Sequence, residues 1–270
     1  MTDQYAVVGN PITHSKSPLI HTEFARQTGQ DLVYDKICAP LDDFAACAIA
    51  FREMGGRGMN VTVPFKVEAF QLATRLTERA RLAEAVNTLT FDGEEILGDN
   101  TDGEGLVQDI LSGCGCPIAG KRVLVLGAGG ATRGILLPLI AQQPAALMVV
   151  NRTAAKAEAL REHVANHFAI EAGGFEAMEG RAFDLLINAT SASLSATPLP
   201  LGADNFASGA LAYDLAYGSE ETVFMRQARV CGAAQVADGL GMLVGQAAES
   251  FKLWRGVRPD TAPVIALLRP

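Results

Sequence analysis

The sequence predicts an α/β protein of two domains, each built on its own sheet. Short branched-apolar runs alternate with helix-compatible segments along most of the chain, the pattern of packed sheet and helix layers. A polar run, Asp99-Asn100-Thr101-Asp102-Gly103, breaks that alternation and leads into a helix able to pass between two lobes. In the second lobe, an apolar run from Lys121 to Leu126 stops at Gly127-Ala128-Gly129-Gly130-Ala131, and a helical segment follows at once.

Taken in order, residues 5–9 form a short buried strand ended by Gly9-Asn10-Pro11. The loop Ile12 to Pro18 is crowded with hydroxyls, and its proline suits a helix start; that helix runs to Thr28, where Gly29 stops it. A strand over 32–37 and a helix opened by Pro40-Leu41-Asp42-Asp43 follow, the helix ending at Gly55-Gly56. Residues 58–63 read as a strand broken by Pro64. Helical segments cover 67–73 and 78–84, and 85–89 with 95–98 form a hairpin around Asp92-Gly93. The bridging helix covers 104–111.

Beyond it, strands are expected at 146–150, 183–187, 211–214 and 235–237, with crossover helices over 153–166 and 222–230. The last helix, 243–254, is apolar on one face and carries Gln246 and Glu249, so it should pack back on the first lobe.

Strand, glycine turn and helix N-terminus together make a pyrophosphate site from backbone N–H groups and a helix dipole. Gly127 permits the tight turn, and Gly129 lets backbone approach phosphate; Thr132 stands in the third glycine position, so the pattern is a variant. About twenty residues on, an NAD site would want a carboxylate for the ribose hydroxyl. The chain has Asn151-Arg152-Thr153 there, with Lys156 a helical turn later. A guanidinium grips a 2′-phosphate where a carboxylate repels it, which favours NADP over NAD. The plainer alternative is a solvated helix start with Thr153 as N-cap.

At 270 residues and 49% hydrophobic, the chain can bury one large core or two modest ones. A net charge of −8 argues against a nucleic-acid or anionic-membrane partner, so an anion must be held by a local pocket. Five cysteines without regular spacing suggest reduced thiols and a cytoplasmic protein; Cys114-Gly-Cys116 is too short for a redox pair. No apolar segment approaches a membrane span, and Met1-Thr2-Asp3-Gln4 has no basic leader region.

A dinucleotide domain needs a proton donor near the hydride path. No Tyr-x-x-x-Lys pair and no Cys/His cluster is present, and His163 with His167 reads as a surface pair on one helix, so no metal is expected. His14 could act as a base or simply brace its loop. Lys66, following Pro64 at a strand end, is the stronger candidate because of the polar set around it. Asn60 and Thr62 share a strand face at period two, and Asn87 and Asp102 lie at the ends of neighbouring elements. Such side chains suit a polyhydroxylated ligand, and Asp102 could fix Lys66 by an ion pair.

At these residues the chain resembles the shikimate dehydrogenase family, which reduces 3-dehydroshikimate to shikimate with NADPH. Gly9-Asn10-Pro11-Ile12-x-His14-Ser15-Lys16-Ser17-Pro18 is similar to the family's opening signature, and Asn60 to Lys66 to its catalytic-lysine segment. Ala85-Val86-Asn87-Thr88 and Gly98 to Gly103 match two further motifs. The resemblance implies Lys66 and Asp102 as the catalytic pair, Ser15 and Ser17 for the substrate carboxylate, and Asn60, Thr62, Asn87, Tyr217 and Gln246 at the substrate. For the cofactor it implies Gly127, Ala128, Gly129, Gly130 and Ala131 at the pyrophosphate and Asn151, Arg152, Thr153 and Lys156 at the 2′-phosphate. Thr190 and Ser191 would flank the cofactor, Leu215 and Gly239 would lie at the nicotinamide, and Glu78 would make a polar contact nearby. Leu215 stands where many relatives have methionine.

The fold implied is an N-terminal α/β substrate domain and a Rossmann-type NADP-binding domain with a cleft between them. The substrate domain would cover 1–101 and be completed by C-terminal helices in 240–270, and the nucleotide domain would cover 102–239. Small-molecule partners and a monomer or homodimer are expected.

Overall fold

The computed structural model describes residues 2–193 and 197–269. The chain separates into two compact units: Met1–Gly105 with Val244–Leu268, and Leu106–Leu243 with Arg269–Pro270. These divisions fall four residues beyond the expected 101/102 and 239/240, because each lies inside a continuous helix, Asp102–Gln108 or Leu240–Arg255. The chain end also differs from a tail placed wholly with the first unit; Arg269 pairs with Asp238 at 3.8 Å.

The first unit holds β1 (Asp3–Gly9), α1 (Ser17–Thr28), β2 (Leu32–Cys38), α2 (Phe44–Glu53), β3 (Gly56–Val61), α3 (Lys66–Leu72), β4 (Arg75–Leu76), α4 (Glu78–Ala83), β5 (Thr88–Asp92), β6 (Glu95–Asp99) and the start of α5 (Asp102–Gln108). Its six-stranded sheet runs β2-β1-β3-β5-β6-β4. β1 pairs parallel with β2 and β3, whereas β5 runs antiparallel to both β3 and β6. Gly29 stops α1 in the left-handed region, at φ 64°. Met59, Phe44, Phe65 and Leu89 join one apolar core that supports the strand ends.

Three local differences from the sequence pattern matter. β3 begins at Gly56 and ends at Val61, so Thr62 lies beyond the strand; the chain turns at Pro64, with the Phe65 N–H donating to Thr62 O at 3.0 Å. The hairpin pairs Asp92 with Glu95, which leaves Gly93-Glu94 as the loop, and Gly93 takes φ 58°. The helix expected to Leu111 stops at Gln108 and continues as a π-turn, Asp109–Gly113. In that turn the Asp109 carboxylate accepts from the Tyr213 hydroxyl at 2.7 Å, and a Cβ on Gly241 would fall 2.1 Å from it.

The second unit holds β7 (Arg122–Leu126), α6 (Gly130–Ala141), β8 (Ala146–Val150), α7 (Ala154–Val164), β9 (Glu171–Gly173), β10 (Phe183–Asn188), β11 (Phe206–Asp214), α8 (Val223–Val230) and β12 (Gln235–Ala237). Its sheet is parallel throughout, in the order β12-β11-β10-β7-β8-β9. Strand order reverses at β7, and in such sheets ligands bind beyond the carboxyl ends of the strands at that point. α9 (Leu240–Arg255) and α10 (Ala262–Leu268) close the chain. β9 is too short to show a period in the sequence. Among the described residues no helix is long and apolar enough to cross a membrane.

His21 on α1 is 1% exposed, and its ring stacks on Tyr34 with centroids 4.1 Å apart. Phe24, Phe251 and Trp254 surround it. Neither ring nitrogen has a hydrogen-bond partner among the described residues. Burial pushes its pKa down to about 3, and the neighbouring Asn60 offsets that only in part. A folded-state pKa below the unfolded value of 6.5 means the unfolded chain takes the proton first. His21 therefore costs stability as pH falls from 6.5 towards 3, by about 1.4 kcal/mol per pH unit. His21→Phe should remove that slope: between pH 6.5 and about 4.5, urea unfolding should show the parent losing about 2–3 kcal/mol more than the variant. Equal slopes would contradict the assignment.

Candidate active site

In the first unit the polar residues gather where β3, β5, β6 and α9 present buried hydroxyls and amides. Lys66 is the first residue of α3, not a strand-end residue, and its Nζ lies 2.6 Å from Asp102 Oδ2. A cation at a helix start opposes the helix dipole, so the carboxylate offsets an unfavourable placement. Phe65 beside it is fully buried and stacks on Phe44 at 5.1 Å, which anchors the turn that delivers the lysine. Asp102 opens α5, with its own N–H accepted by Asn100 Oδ1 at 3.2 Å.

Asp102 Oδ1 accepts from Asn87 Nδ2 at 2.8 Å, and the same nitrogen lies 3.3 Å from Gln246 Oε1. Asn60 is 5% exposed and wholly engaged: Tyr34 donates to its Oδ1 at 2.7 Å, and its Nδ2 points to Ser250 and Thr88. Asn60 is thus part of the wall, and Thr62 does not share its strand face because the strand has ended. Ser15 and Ser17 meet at 3.2 Å between hydroxyls, Ser17 buried at the start of α1. His14 is exposed; Lys36 braces the loop, donating to Thr13 O at 2.7 Å. Arg79 holds Asp99 at 2.6 and 2.7 Å and also pairs with Glu104 and Glu249. Glu78, next to it, is exposed in the first turn of α4.

In the second unit Gly127 takes φ 108°, and a Cβ there would lie 3.1 Å from Ala189 and Thr190. Thr132, in the third glycine position, is fully buried and donates to Gly127 O at 2.8 Å, closing the turn. A Cβ on Gly129 or Gly130 would meet nothing within 4 Å. Open space therefore faces Gly129, Gly130 and Ala131 at the start of the 12-residue α6, whose first N–H groups lack helical partners. Ala128 and Ala131 carry no charge that would repel an anion. This turn fits a pyrophosphate.

Asn151 directly follows β8, and its Nδ2 donates to Thr153 O at 3.0 Å. Thr153 occupies the N-cap of α7 but its side chain makes no capping bond. Arg152, Thr153 and Lys156 are exposed, and neither cation has an ion-pair partner among the described residues. His163 and His167 do not share a helix, since α7 ends at Val164. No group of three metal-ligating side chains occurs among the described residues.

Asp214, fully buried at the end of β11, accepts from Asn188 at 3.0 Å, Ser193 at 2.5 Å, the Ala216 N–H at 3.1 Å and Thr222 at 2.6 Å. Asn188 in turn accepts both the Thr190 N–H and its hydroxyl, which fixes Thr190 and the turn to Ser191. Leu215 and Gly239 lie back to back: a Cβ on Gly239 would come 2.1 Å from Leu215 O, so only glycine fits. Tyr217, 45% exposed, is carried by this unit, whereas the other residues expected at the substrate belong to the first.

Three family models match the chain. Residues 7–89 match the shikimate dehydrogenase substrate binding domain, 106–197 the shikimate / quinate 5-dehydrogenase model, and 239–269 the shikimate 5′-dehydrogenase C-terminal domain. A shikimate dehydrogenase (NADP(+)) of Dechloromonas aromatica (strain RCB) is 57% identical over 269 residues, covering 100% of this chain and 98% of its own. The chain belongs to the shikimate dehydrogenase family. An Ael1 enzyme from Pseudomonas putida, known from a crystal structure, is 52% identical, with TM-score 0.96 and coverage of 100% of this chain and 99% of that one. The shikimate 5-dehydrogenase of Thermus thermophilus, crystallised with NADP(H) and shikimate, is 32% identical over 98% of each chain, with TM-score 0.87.

Sequence reading names candidate residues for the chemistry of this family member but not the buried polar residues behind them: Tyr34, Thr88, Ser250, Arg79 and Asp214. Tyr34 after Leu32-Val33 and Asp214 after Ala210-Leu211-Ala212-Tyr213 stand out as polar groups ending apolar runs, whereas Thr88, Ser250 and Arg79 stand among polar neighbours and carry no such signal. Asp214→Ala should leave four donors short of an acceptor. We expect a loss of about 2–4 kcal/mol in chemical unfolding and weaker retention of the NADP cofactor by the isolated enzyme, measured by titration.

Proposed function

We propose that this protein reduces 3-dehydroshikimate reversibly to shikimate, with Lys66 and Asp102 handling the proton. The observation that carries the reading is the 2.6 Å pair between them, set among Asn87 and Gln246 on buried supports. NADPH, when bound, supplies the hydride. Lys66 Nζ gives a proton to the oxygen formed at C3 and, as a cation, stabilises the developing alkoxide. Asp102 orients that ammonium and can accept a hydrogen bond from a substrate hydroxyl. Asn87, Thr62 and Gln246 serve the remaining hydroxyls, and Ser15 and Ser17 take the carboxylate; Asn60 acts from within the wall.

The cofactor is held by Gly127 to Ala131 at its pyrophosphate and by Asn151, Arg152, Thr153 and Lys156 at its 2′-phosphate. Thr190 and Ser191 would flank the cofactor, and Leu215 and Gly239 would lie at its nicotinamide. The exposed cations at 152 and 156, without ion-pair partners among the described residues, and the neutral Asn151 just after β8 support NADP over NAD. The domain reading follows: the first unit takes the substrate and the second the cofactor. Five free thiols support a cytoplasmic setting, and the net charge of −8 supports small-molecule rather than nucleic-acid partners, for a monomer or homodimer.

Two measurements test this. NADP-linked oxidation of shikimate, followed by reduced-cofactor absorbance, should be rapid, and Lys66→Ala should lower kcat by about 10²–10⁴ with shikimate binding little changed. Undiminished turnover in that variant would remove the lysine from the mechanism. Arg152→Ala should raise the KM for NADP by about 10–100-fold and leave NAD-linked rates on shikimate or quinate unmoved. A parallel loss with both cofactors would place Arg152 outside the 2′-phosphate site.

A further inference from the structure

Behind the Lys66–Asp102 pair lies a chain of buried hydrogen bonds whose direction can be read atom by atom. Tyr34 donates to Asn60 Oδ1 at 2.7 Å. That leaves Asn60 Nδ2 as the donor on the other side, 3.0 Å from Ser250 Oγ and 3.2 Å from Thr88 Oγ1. The backbone carbonyl of Asn87, which can only accept, lies 3.3 Å from the same nitrogen and forbids the reverse orientation. Ser250 and Thr88 are 2.8 Å apart, and Thr88 donates onward to Asn87 Oδ1 at 2.8 Å.

Asn87 Oδ1 also receives the Thr101 N–H at 2.9 Å. The Thr101 hydroxyl lies beside both amide atoms, 3.2 Å from Oδ1 and 3.0 Å from Nδ2, where it accepts. With Oδ1 taken by Thr88 and the Thr101 N–H, the opposite face of the amide carries only N–H groups. One of these meets Asp102 Oδ1 at 2.8 Å, while Lys66 meets Oδ2. Donors therefore run in one sense: Tyr34 to Asn60, Asn60 to Ser250 and Thr88, Thr88 to Asn87, and Asn87 to Asp102. Bonds aligned this way polarise one another in a dry interior. Thr88 and Ser250 are both fully buried and touch neither Lys66 nor Asp102 in the hydrogen-bond pattern.

We propose that Thr88 and Ser250 are positioning residues of this reaction: by committing Asn87 Oδ1 they turn its Nδ2 toward Asp102 and the substrate. If the amide turned over, its oxygen would face a carboxylate and its NH₂ would face the Thr101 N–H, two repulsive contacts. With the observed sense, this face of Asn87 presents only N–H groups, shared among Asp102 Oδ1 at 2.8 Å, Thr101 Oγ1 at 3.0 Å and Gln246 Oε1 at 3.3 Å. A substrate hydroxyl at this point donates to Asp102, whose carboxylate Asn87 holds in place. The inference rests on the reading that Lys66 and Asp102 serve shikimate oxidation.

The test uses the full chain, with kcat and both KM values measured beside thermal unfolding. Thr88→Val keeps the volume and deletes the hydroxyl, whereas Thr88→Ser keeps the hydroxyl. Thr88→Val should lower kcat/KM for shikimate by at least about tenfold, with the loss in kcat and in shikimate KM together, and leave the KM for NADP within about twofold. Thr88→Ser should recover the rate to within about threefold of the parent. A purely structural role would reduce the folded fraction, which scales kcat and moves neither KM. Ser250→Ala removes the hydroxyl behind Thr88 and should shift kcat and shikimate KM in the same directions by a smaller factor; it carries the test if Thr88→Val does not fold. Unchanged KM for shikimate in the folded variants, or Thr88→Ser impaired as deeply as Thr88→Val, overturns the proposal. A parent chain that fails to oxidise shikimate at all rejects the underlying reading instead.

Discussion

The first unit depends on one constraint: the Asn87 amide must be satisfied on all sides while buried. An Asn of this kind costs several kcal/mol unless each lone pair and hydrogen finds a partner. Thr101, Thr88, Asp102 and Gln246 supply those partners from the start of β5, the turn before α5 and the face of α9. The requirement couples segments far apart in sequence, since Gln246 and Ser250 come from the chain's last long helix. It explains why α9 must carry polar groups on a face that packing alone would make apolar. The same satisfied network gives Lys66 a defined place at an electrostatically poor helix start.

The second unit solves its problem by backbone proximity rather than by side-chain amides. Gly127 and Gly239 sit where a Cβ would strike Ala189 or Leu215, so the loops after β7 and β12 draw close to those after β10 and β11 without intervening side chains. Asp214 then ties the last two of these loops through Asn188, Ser193 and Thr222. Thr132 belongs to the same logic. Its departure from the glycine fingerprint replaces close helix–strand contact with a hydrogen bond to Gly127 O, and the turn keeps its shape.

Much of the fold is legible in the sequence because period and punctuation agree. Gly29 and Gly55 take positive φ where the pattern stops a helix, and the all-parallel second sheet follows from alternating runs and crossovers. The pattern errs where tertiary contacts override local preference. The helix expected to Leu111 loosens into a π-turn where the Asp109 carboxylate binds Tyr213, a residue far along the chain. β3 loses Thr62 to a turn that period-two alternation cannot see. In the sequence, candidate site residues stand out where they carry charge or lie in glycine turns. Asn60 reads as a substrate contact because an Asn on a strand looks like a ligand; only the structure reveals that Tyr34 and Ser250 have already engaged it.

That case generalises within this chain. A polar residue in an apolar run has two explanations, contact with a ligand or support of one that makes contact, and sequence alone weighs them equally. The partners show the difference in setting: Asn60 is engaged by Tyr34 and Ser250 within the buried wall, whereas Lys66 has one carboxylate and a side chain 31% exposed. Arg79 is the converse warning: an arginine beside the site, yet both its sides are engaged by Asp99, Glu104 and Glu249. Arg152 and Lys156 are the opposite case: both are exposed, and neither has an ion-pair partner among the described residues.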